Sequence, residues 1–99
     1  MSVITVREAP PPTLPDYQAA IAAYLDEAAQ SRQYDGAISL ASYLGSTNPQ
    51  WASEALAFVA WRDAVWVYAY AELGKAMNGE RDVPTVAGFL TELPAIDWP

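Results

Sequence analysis

The stretch from Asn48 to Met77 reads NPQWASEALAFVAWRDAVWVYAYAELGKAM and carries three of the four tryptophans of the chain. Asparagine followed by Pro49 is a helix-start signal, because the asparagine side chain caps free N–H groups and proline at the first helical position has no N–H to leave unpaired. Asn78-Gly79 is the matching end signal. The stretch therefore predicts one long helix. Its large apolar residues lie on more than one face, so other elements or another protein must cover them.

Shorter apolar patterns on both sides of this stretch predict three further helices. Apolar residues spaced by three and four predict a first helix from about residue 16 to residue 33. Asp35 is predicted to cap a short second helix, and Gly45 suits its left-handed end. Thr85 is predicted to cap a short fourth helix that Pro94 ends. The predicted fold is all-α, a small helical bundle around one long central helix with extended termini.

The first 15 residues have a different character from the rest. Val3, Ile4 and Val6 form a β-prone run, and Pro10-Pro11-Pro12 favours a stiff extended conformation. The remaining sequence predicts no second strand for this run. The prediction is therefore an extended proline-rich arm over residues 1–15, whose three β-branched residues bind a neighbouring subunit by strand addition or in a groove.

Composition limits the domain count and the class of partner. The 99 residues, 53% of them apolar, suffice for one modest core, predicted as a single helical domain over residues 16–99. A formal charge of -7 disfavours contact with nucleic acid, because each phosphate contact needs a lysine or arginine. Asp63 and Glu72 interrupt the most apolar stretch, so no membrane span is predicted.

The residue types disfavour catalysis and cofactor binding. Cysteine and histidine are absent, so thiolate zinc sites and cysteine or histidine catalysis are excluded. The twelve acidic residues are spread along the chain without a calcium-loop pattern, and they are interpreted as solvated helix faces. No enzyme, cofactor or metal site is predicted.

Arg62 is the most informative charge. It shares a helix face with Phe58 and Trp66 at spacings of four residues. Its guanidinium either pairs internally with an acid such as Asp26 or Asp35, stacks on Trp66, or anchors an interface. The sequence leaves these alternatives open, and Arg62 is a candidate partner-binding residue.

The tryptophans divide between core and surface roles. Trp61 and Trp66 lie about 140° apart on the helical wheel, so both rings cannot occupy the centre of one narrow seam. Phe58 and Trp66 are predicted to be core residues, and Trp61 is predicted to lie on a partner-binding surface. Trp98, in the extended C-terminal tail, either folds back over the bundle or fills a pocket on a partner.

Several short motifs follow one another along the chain. They are Arg32-Gln33-Tyr34-Asp35-Gly36, Ser42-Tyr43, Ser46-Thr47-Asn48-Pro49, Ala57-Phe58-Val59-Ala60-Trp61-Arg62-Asp63-Ala64-Val65-Trp66, Pro84-Thr85-Val86, Phe89-Leu90 and Glu92-Leu93-Pro94-Ala95. In this order they resemble a family of small proteins and C-terminal modules encoded in the tail and tail-fibre regions of tailed bacteriophages and prophages. The resemblance covers roughly residues 17 to 98 and not the stretch from Ser2 to Leu14.

The resemblance implies a role in the phage tail, and it transfers no catalytic or binding residue. The expected function is non-enzymatic protein–protein binding, either as a virion component at the tail tip or fibre attachment or as a tail-fibre assembly chaperone. The expected partners are other phage tail or fibre proteins or a second copy of the chain, in the virion tail or the host cytoplasm. The alternative is a free acidic regulator that masks a basic surface, such as a nucleic-acid mimic or an anti-defence protein.

Overall fold

The computed structural model describes residues 10–99, which form four helices and no strand. The helices are α1 (Leu14–Gln30), α2 (Ala37–Ala41), α3 (Pro49–Met77) and α4 (Val86–Leu90). The predicted all-α architecture around one long central helix is confirmed. The predictions for Val3, Ile4 and Val6 fall outside the described residues.

Both predicted ends of α3 are confirmed. The Asn48 side chain accepts hydrogen bonds of 3.1 Å from the backbone N–H groups of Gln50 and Trp51. Pro49 occupies the first helical position, and Gly79 follows the helix with a φ of 75°. These local signals define a helix of 29 residues.

The first helix lies two to three residues earlier than the sequence predicted. Thr13 and Asp16 form a reciprocal capping box, in which the Thr13 N–H donates to the Asp16 carboxylate over 2.7 Å, so α1 begins at Leu14. At the other end, Gln33 adopts a left-handed φ of 72°, and the Tyr34 N–H donates to a carbonyl oxygen of the last turn. The helix therefore ends before residue 33.

The predicted cap of α2 is wrong. The residue at the N-cap is Gly36, and the side chain that accepts the Ala37 N–H, over 2.8 Å, belongs to Asp26 on α1 instead of Asp35. A Cβ at position 36 would lie 2.9 Å from the Asp26 carboxylate, so glycine permits this close approach. Gly45 does take the predicted left-handed conformation, with a φ of 73°.

The cap of α4 is confirmed, because the Thr85 hydroxyl accepts the Gly88 N–H over 3.0 Å. The helix ends at Leu90, and a turn separates it from Pro94. The Tyr17 hydroxyl of α1 donates to the Pro84 carbonyl oxygen and ties the α3–α4 connection to α1.

The core lies between one face of α3 and the three other helices. Its apolar members recur at helical spacing on α1 and α3, and full burial of each Val, Leu, Ile or Phe contributes roughly 1.5 to 3 kcal/mol. The buried apolar residues are Tyr17, Ile21, Leu25, Ala29, Leu40, Ala55, Phe58, Trp61, Val65, Ala69, Leu73, Phe89 and Leu93.

Candidate partner-binding surfaces

Trp61 belongs to the core, so the prediction that it lies on a binding surface is wrong. Its ring is 7% exposed and lies 5.6 Å from the Tyr24 ring and 5.7 Å from the Phe58 ring. Its indole N–H donates to the Pro94 carbonyl oxygen over 2.7 Å. A position three residues after Phe58 lies on the same buried face of the helix, which the sequence alone did not identify as the core face.

Trp66 takes the edge position that was expected for Trp61. Its ring is half-buried and stacks on the Tyr70 ring at 5.5 Å, while Phe58 is fully buried. The predicted core role is therefore confirmed for Phe58. It is wrong for Trp66, which packs against the edge of the core and does not lie at its centre.

Arg62 forms an internal pair with an acid, as one alternative predicted, but the acid is Asp63 instead of Asp26 or Asp35. Its guanidinium donates two hydrogen bonds, of 2.9 and 3.1 Å, to the carboxylate of the next residue, Asp63. Asp26 is occupied as the α2 cap. An ion pair this exposed contributes little to stability, so Arg62 and Asp63 form a charged site on the surface of α3.

Trp98 folds back over the bundle, which resolves the alternative left open by the sequence. Its ring stacks on Phe58 with the centroids 6.4 Å apart and the planes 15° apart. The Arg32 guanidinium lies 4.8 Å from the same ring in a cation–π arrangement. The C-terminal tail is thus packed onto α3.

Exposed apolar residues lie on the side of α3 that faces away from the core. Leu56, Val67, Tyr70 and Met77 have exposed fractions of 67%, 72%, 51% and 78%, and we call these four residues the outer face. At 100° per residue they fall within one sector of the helical wheel, and at 1.5 Å per residue they span about 32 Å. The sequence predicted a second apolar face on this helix, and the outer face supplies it without Trp61.

An apolar groove continues the outer face at the C-terminal end of α3. Its volume is about 140 Å³, and Leu14 and Val83 on its rim are 40% and 61% exposed. The lining residues are Pro12, Leu14, Tyr17, Leu73, Ala76, Met77 and Val83. Met77 belongs to both surfaces, so the groove and the outer face meet at this residue.

A charged cluster that sequence reasoning missed joins α3 to the segments around α4. The Arg81 guanidinium donates to both carboxylate oxygens of Glu92, over 2.9 and 2.8 Å, and to Glu72 over 3.0 Å. The Tyr68 hydroxyl donates to Glu92 over 2.8 Å. Hydrogen bonds from Arg81 and then from Tyr68 lower the pKa of Glu92 to about 2. No local spacing signals this cluster, because its members lie nine or more residues from Arg81 along the chain.

A second cavity, of about 310 Å³, lies at the other end of α3 and is polar. Its lining combines a buried acid with aromatic and amide side chains, and the residues are Arg32, Gln33, Tyr34, Tyr43, Gln50, Trp51 and Glu54. Burial and then the charge of Glu54 raise the pKa of the Tyr34 hydroxyl. Sequence reasoning did not single out Glu54, whose burial depends on the α1–α2 turn.

The described part of the chain has neither a metal-binding cluster nor a membrane-spanning helix. Residues 10–99 contain no group of three or more acidic side chains arranged to hold a metal ion. None of the helices there is both long enough and apolar enough to cross a bilayer.

Comparison with known proteins finds no matching family model, no matching curated protein and no matching solved structure.

Proposed function

We propose that this protein is a non-enzymatic, tail-associated protein of a tailed bacteriophage, which acts by binding other tail or fibre proteins. The observation that carries the binding role is the outer face of α3. Exposed apolar residues that align along one side of a helix are typical of protein interaction sites, and the groove at Met77 adds to this surface. The tail assignment is supported by the ordered sequence motifs.

The outer face fits a protein partner because it combines an apolar stripe with a charged interruption. Leu56 lies on one side of the Arg62–Asp63 pair, and Val67, Tyr70 and Met77 lie on the other. Apolar and aromatic groups supply the central contacts of such interfaces, while a charged pair helps to fix the register between partners. This arrangement suits either a virion component at the tail tip or fibre attachment or an assembly chaperone.

The placement of the carboxylates favours the tail-protein proposal over the alternative of a free acidic regulator. A nucleic-acid mimic needs its acids free and aligned on one surface. Asp16 and Asp26 bind backbone N–H groups, Glu54 is buried, and Glu72 and Glu92 are paired with Arg81. These five acids are engaged within the fold.

The test is to follow the protein in purified particles of its phage by quantitative mass spectrometry. The wild-type protein is expected in virions, or bound to a fibre protein in infected cells if it is a chaperone. A double variant, Leu56→Ser with Val67→Ser, is expected to remain folded and to lose this association. Ile38→Ser is the matched control, because Ile38 is 89% exposed and lies on α2. Equal incorporation of the double variant and the control would contradict the role of the outer face.

The N-terminal residues are tested in the same experiment. Deletion of residues 2–9 removes Val3, Ile4 and Val6 and leaves α1 and its cap intact. If these residues bind a neighbouring subunit, incorporation falls while the melting temperature of the isolated protein stays unchanged. Unchanged incorporation would remove these three residues from the proposed interface.

A further inference from the structure

We propose that the polar cavity at the N-terminal end of α3 binds a primary ammonium group, such as a lysine side chain of a partner, with Glu54 as its counter-ion. The inference goes beyond the proposed function and does not rest on it, because the cavity lies at the opposite end of α3 from the apolar groove. It rests on four features: a buried carboxylate with long contacts, an aromatic wall, an open polar volume, and an arginine that pairs with the carboxylate only at 3.7 Å.

Glu54 is the only charged residue among residues 10–99 that is buried, at 5% exposure. Its nearest donors are the Tyr34 hydroxyl at 3.3 Å and the Gln50 amide nitrogen at 3.5 Å. The Arg32 guanidinium approaches its other oxygen only to 3.7 Å. Charge-assisted hydrogen bonds to a carboxylate are normally about 2.7 to 2.9 Å long, and each carboxylate accepts several. Arg32 is thus the ion-pair partner of Glu54 at long range, and the carboxylate keeps acceptor positions for a closer cationic donor.

The aromatic wall of the cavity is suited to a cation. The Tyr34 and Tyr43 rings lie 5.4 Å apart, and the Tyr43 and Trp51 rings meet at 5.5 Å with a nearly perpendicular orientation. Trp51 is 45% exposed, so its ring borders the entrance. Aromatic faces attract ammonium groups electrostatically and pack against the methylene groups of a lysine side chain.

The volume and polar lining allow a side chain to enter. The cavity holds about 310 Å³, at the lower end of the range for ligand sites. The amide groups of Gln33 and Gln50 line it, and their carbonyl oxygens are acceptors for the remaining N–H donors of an ammonium group. An anion is disfavoured because it would face the Glu54 carboxylate.

Substitutions of Arg32 and of Glu54 should change cation binding in opposite directions. Its guanidinium is held over the Trp98 ring at 4.8 Å and reaches Glu54 only at a distance beyond a hydrogen bond. Its positive charge repels an incoming cation, whereas it would attract an anion. Removing Arg32 should strengthen cation binding, and removing the charge of Glu54 should weaken it.

The experiment is a titration of the full ¹⁵N-labelled chain, followed by NMR shifts of the Trp51 indole N–H and the Tyr34 and Tyr43 amides. The probes are Nα-acetyl-L-lysinamide and n-butylammonium, with neutral Nα-acetyl-L-norleucinamide as the control at equal ionic strength. Saturable shifts are expected with both ammonium probes and not with the neutral one. Tighter binding of the lysinamide identifies a peptide side chain as the ligand, and equal binding identifies a free amine. Both results uphold the ammonium site.

Variants decide whether the shifts come from the proposed contacts. Glu54→Gln should weaken ammonium binding about tenfold, and Arg32→Gln should strengthen it. Glu80→Gln, at an exposed position outside the cavity, is the control for net charge. The proposal is overturned if Arg32→Gln abolishes binding, if Glu80→Gln weakens it as much as Glu54→Gln, or if glutarate or D-galactose binds in place of the ammonium probes. Because Arg32→Gln predicts a gain, an unfolded Glu54→Gln variant would still leave a decisive measurement.

Discussion

The indole N–H of Trp61 donates a 2.7 Å hydrogen bond to the carbonyl oxygen of Pro94, 33 residues further along the chain. This contact joins the middle of α3 to the segment that follows α4. Beyond it, the chain continues to Trp98, whose ring stacks on Phe58. Trp61 thus has two structural roles, since its ring fills the core and its N–H fixes the C-terminal tail.

Replacing Trp61 by alanine should reduce the free energy of unfolding by about 3 to 5 kcal/mol, because a large buried ring leaves a cavity. Trp61→Phe keeps an aromatic ring and removes the hydrogen bond, so it should reduce the free energy of unfolding by about 1 kcal/mol. Urea unfolding followed by circular dichroism measures both values. Trp51→Phe, at the most exposed tryptophan of α3, is the control and should change little. A stable Trp61→Ala variant would show that this ring is not a core residue.

Two valines on α3 provide a matched comparison of its faces. Val65 is fully buried and Val67 is 72% exposed. In the isolated protein, we expect Val65→Ala to lower the free energy of unfolding by about 1.5 to 3 kcal/mol. Val67→Ala should lower it by less than about 0.5 kcal/mol. Binding to a partner should depend on the other valine. Val67→Ser is expected to weaken binding, because Val67 belongs to the outer face. Thermal unfolding of the free protein measures the first effect, and incorporation in the particle experiment proposed above measures the second.

Helix ends could be predicted where the deciding groups are adjacent in sequence. Asn48, Gly45 and Thr85 act within three or four residues of their own position, and their predicted roles are confirmed. The cap of α2 could not be predicted in this way, because Asp26 reaches it from another helix.

The faces of α3 could be predicted only in part. Its composition indicated apolar residues on two sides, but not which side would meet the other helices. Which side of α3 becomes the core face depends on the residues of α1 and α4 that pack against it. Arg81 was missed for a related reason, since its two acidic partners come from different elements.

Phe58 and Trp66 should differ in their contributions to stability. Phe58 is fully buried between Trp61 and Trp98, so Phe58→Ala is expected to cost about 3 to 5 kcal/mol. Trp66 is half-buried and stacks on Tyr70, so Trp66→Ala should cost about 1 to 2 kcal/mol. Midpoints of urea unfolding measure both. Equal losses would mean that Trp66 is as central to the core as Phe58.

The Arg81 cluster predicts a specific dependence of stability on pH. The pKa of Glu92 lies at about 2 in the folded protein, below its ordinary value of 4.5, chiefly because Arg81 donates to both carboxylate oxygens. A depressed carboxylate pKa stabilises the fold above the unfolded-state value and loses this contribution as protons bind to the folded carboxylate. The contribution of Glu92 should therefore be complete above pH 4.5 and should disappear as the pH falls toward about 2.

Arg81→Gln tests this dependence directly. The variant should melt at a lower temperature than the wild type at pH 7, because Glu92 and Glu72 lose their shared donor. The difference should shrink as the pH is lowered through the interval from 4.5 to about 2. Arg62→Gln is the control, since its pair with Asp63 is exposed and should change the melting temperature little at either pH. A difference between Arg81→Gln and wild type that stays constant across this interval would indicate that Arg81 stabilises the fold by packing against Phe89, 6.0 Å away, instead of by its charge.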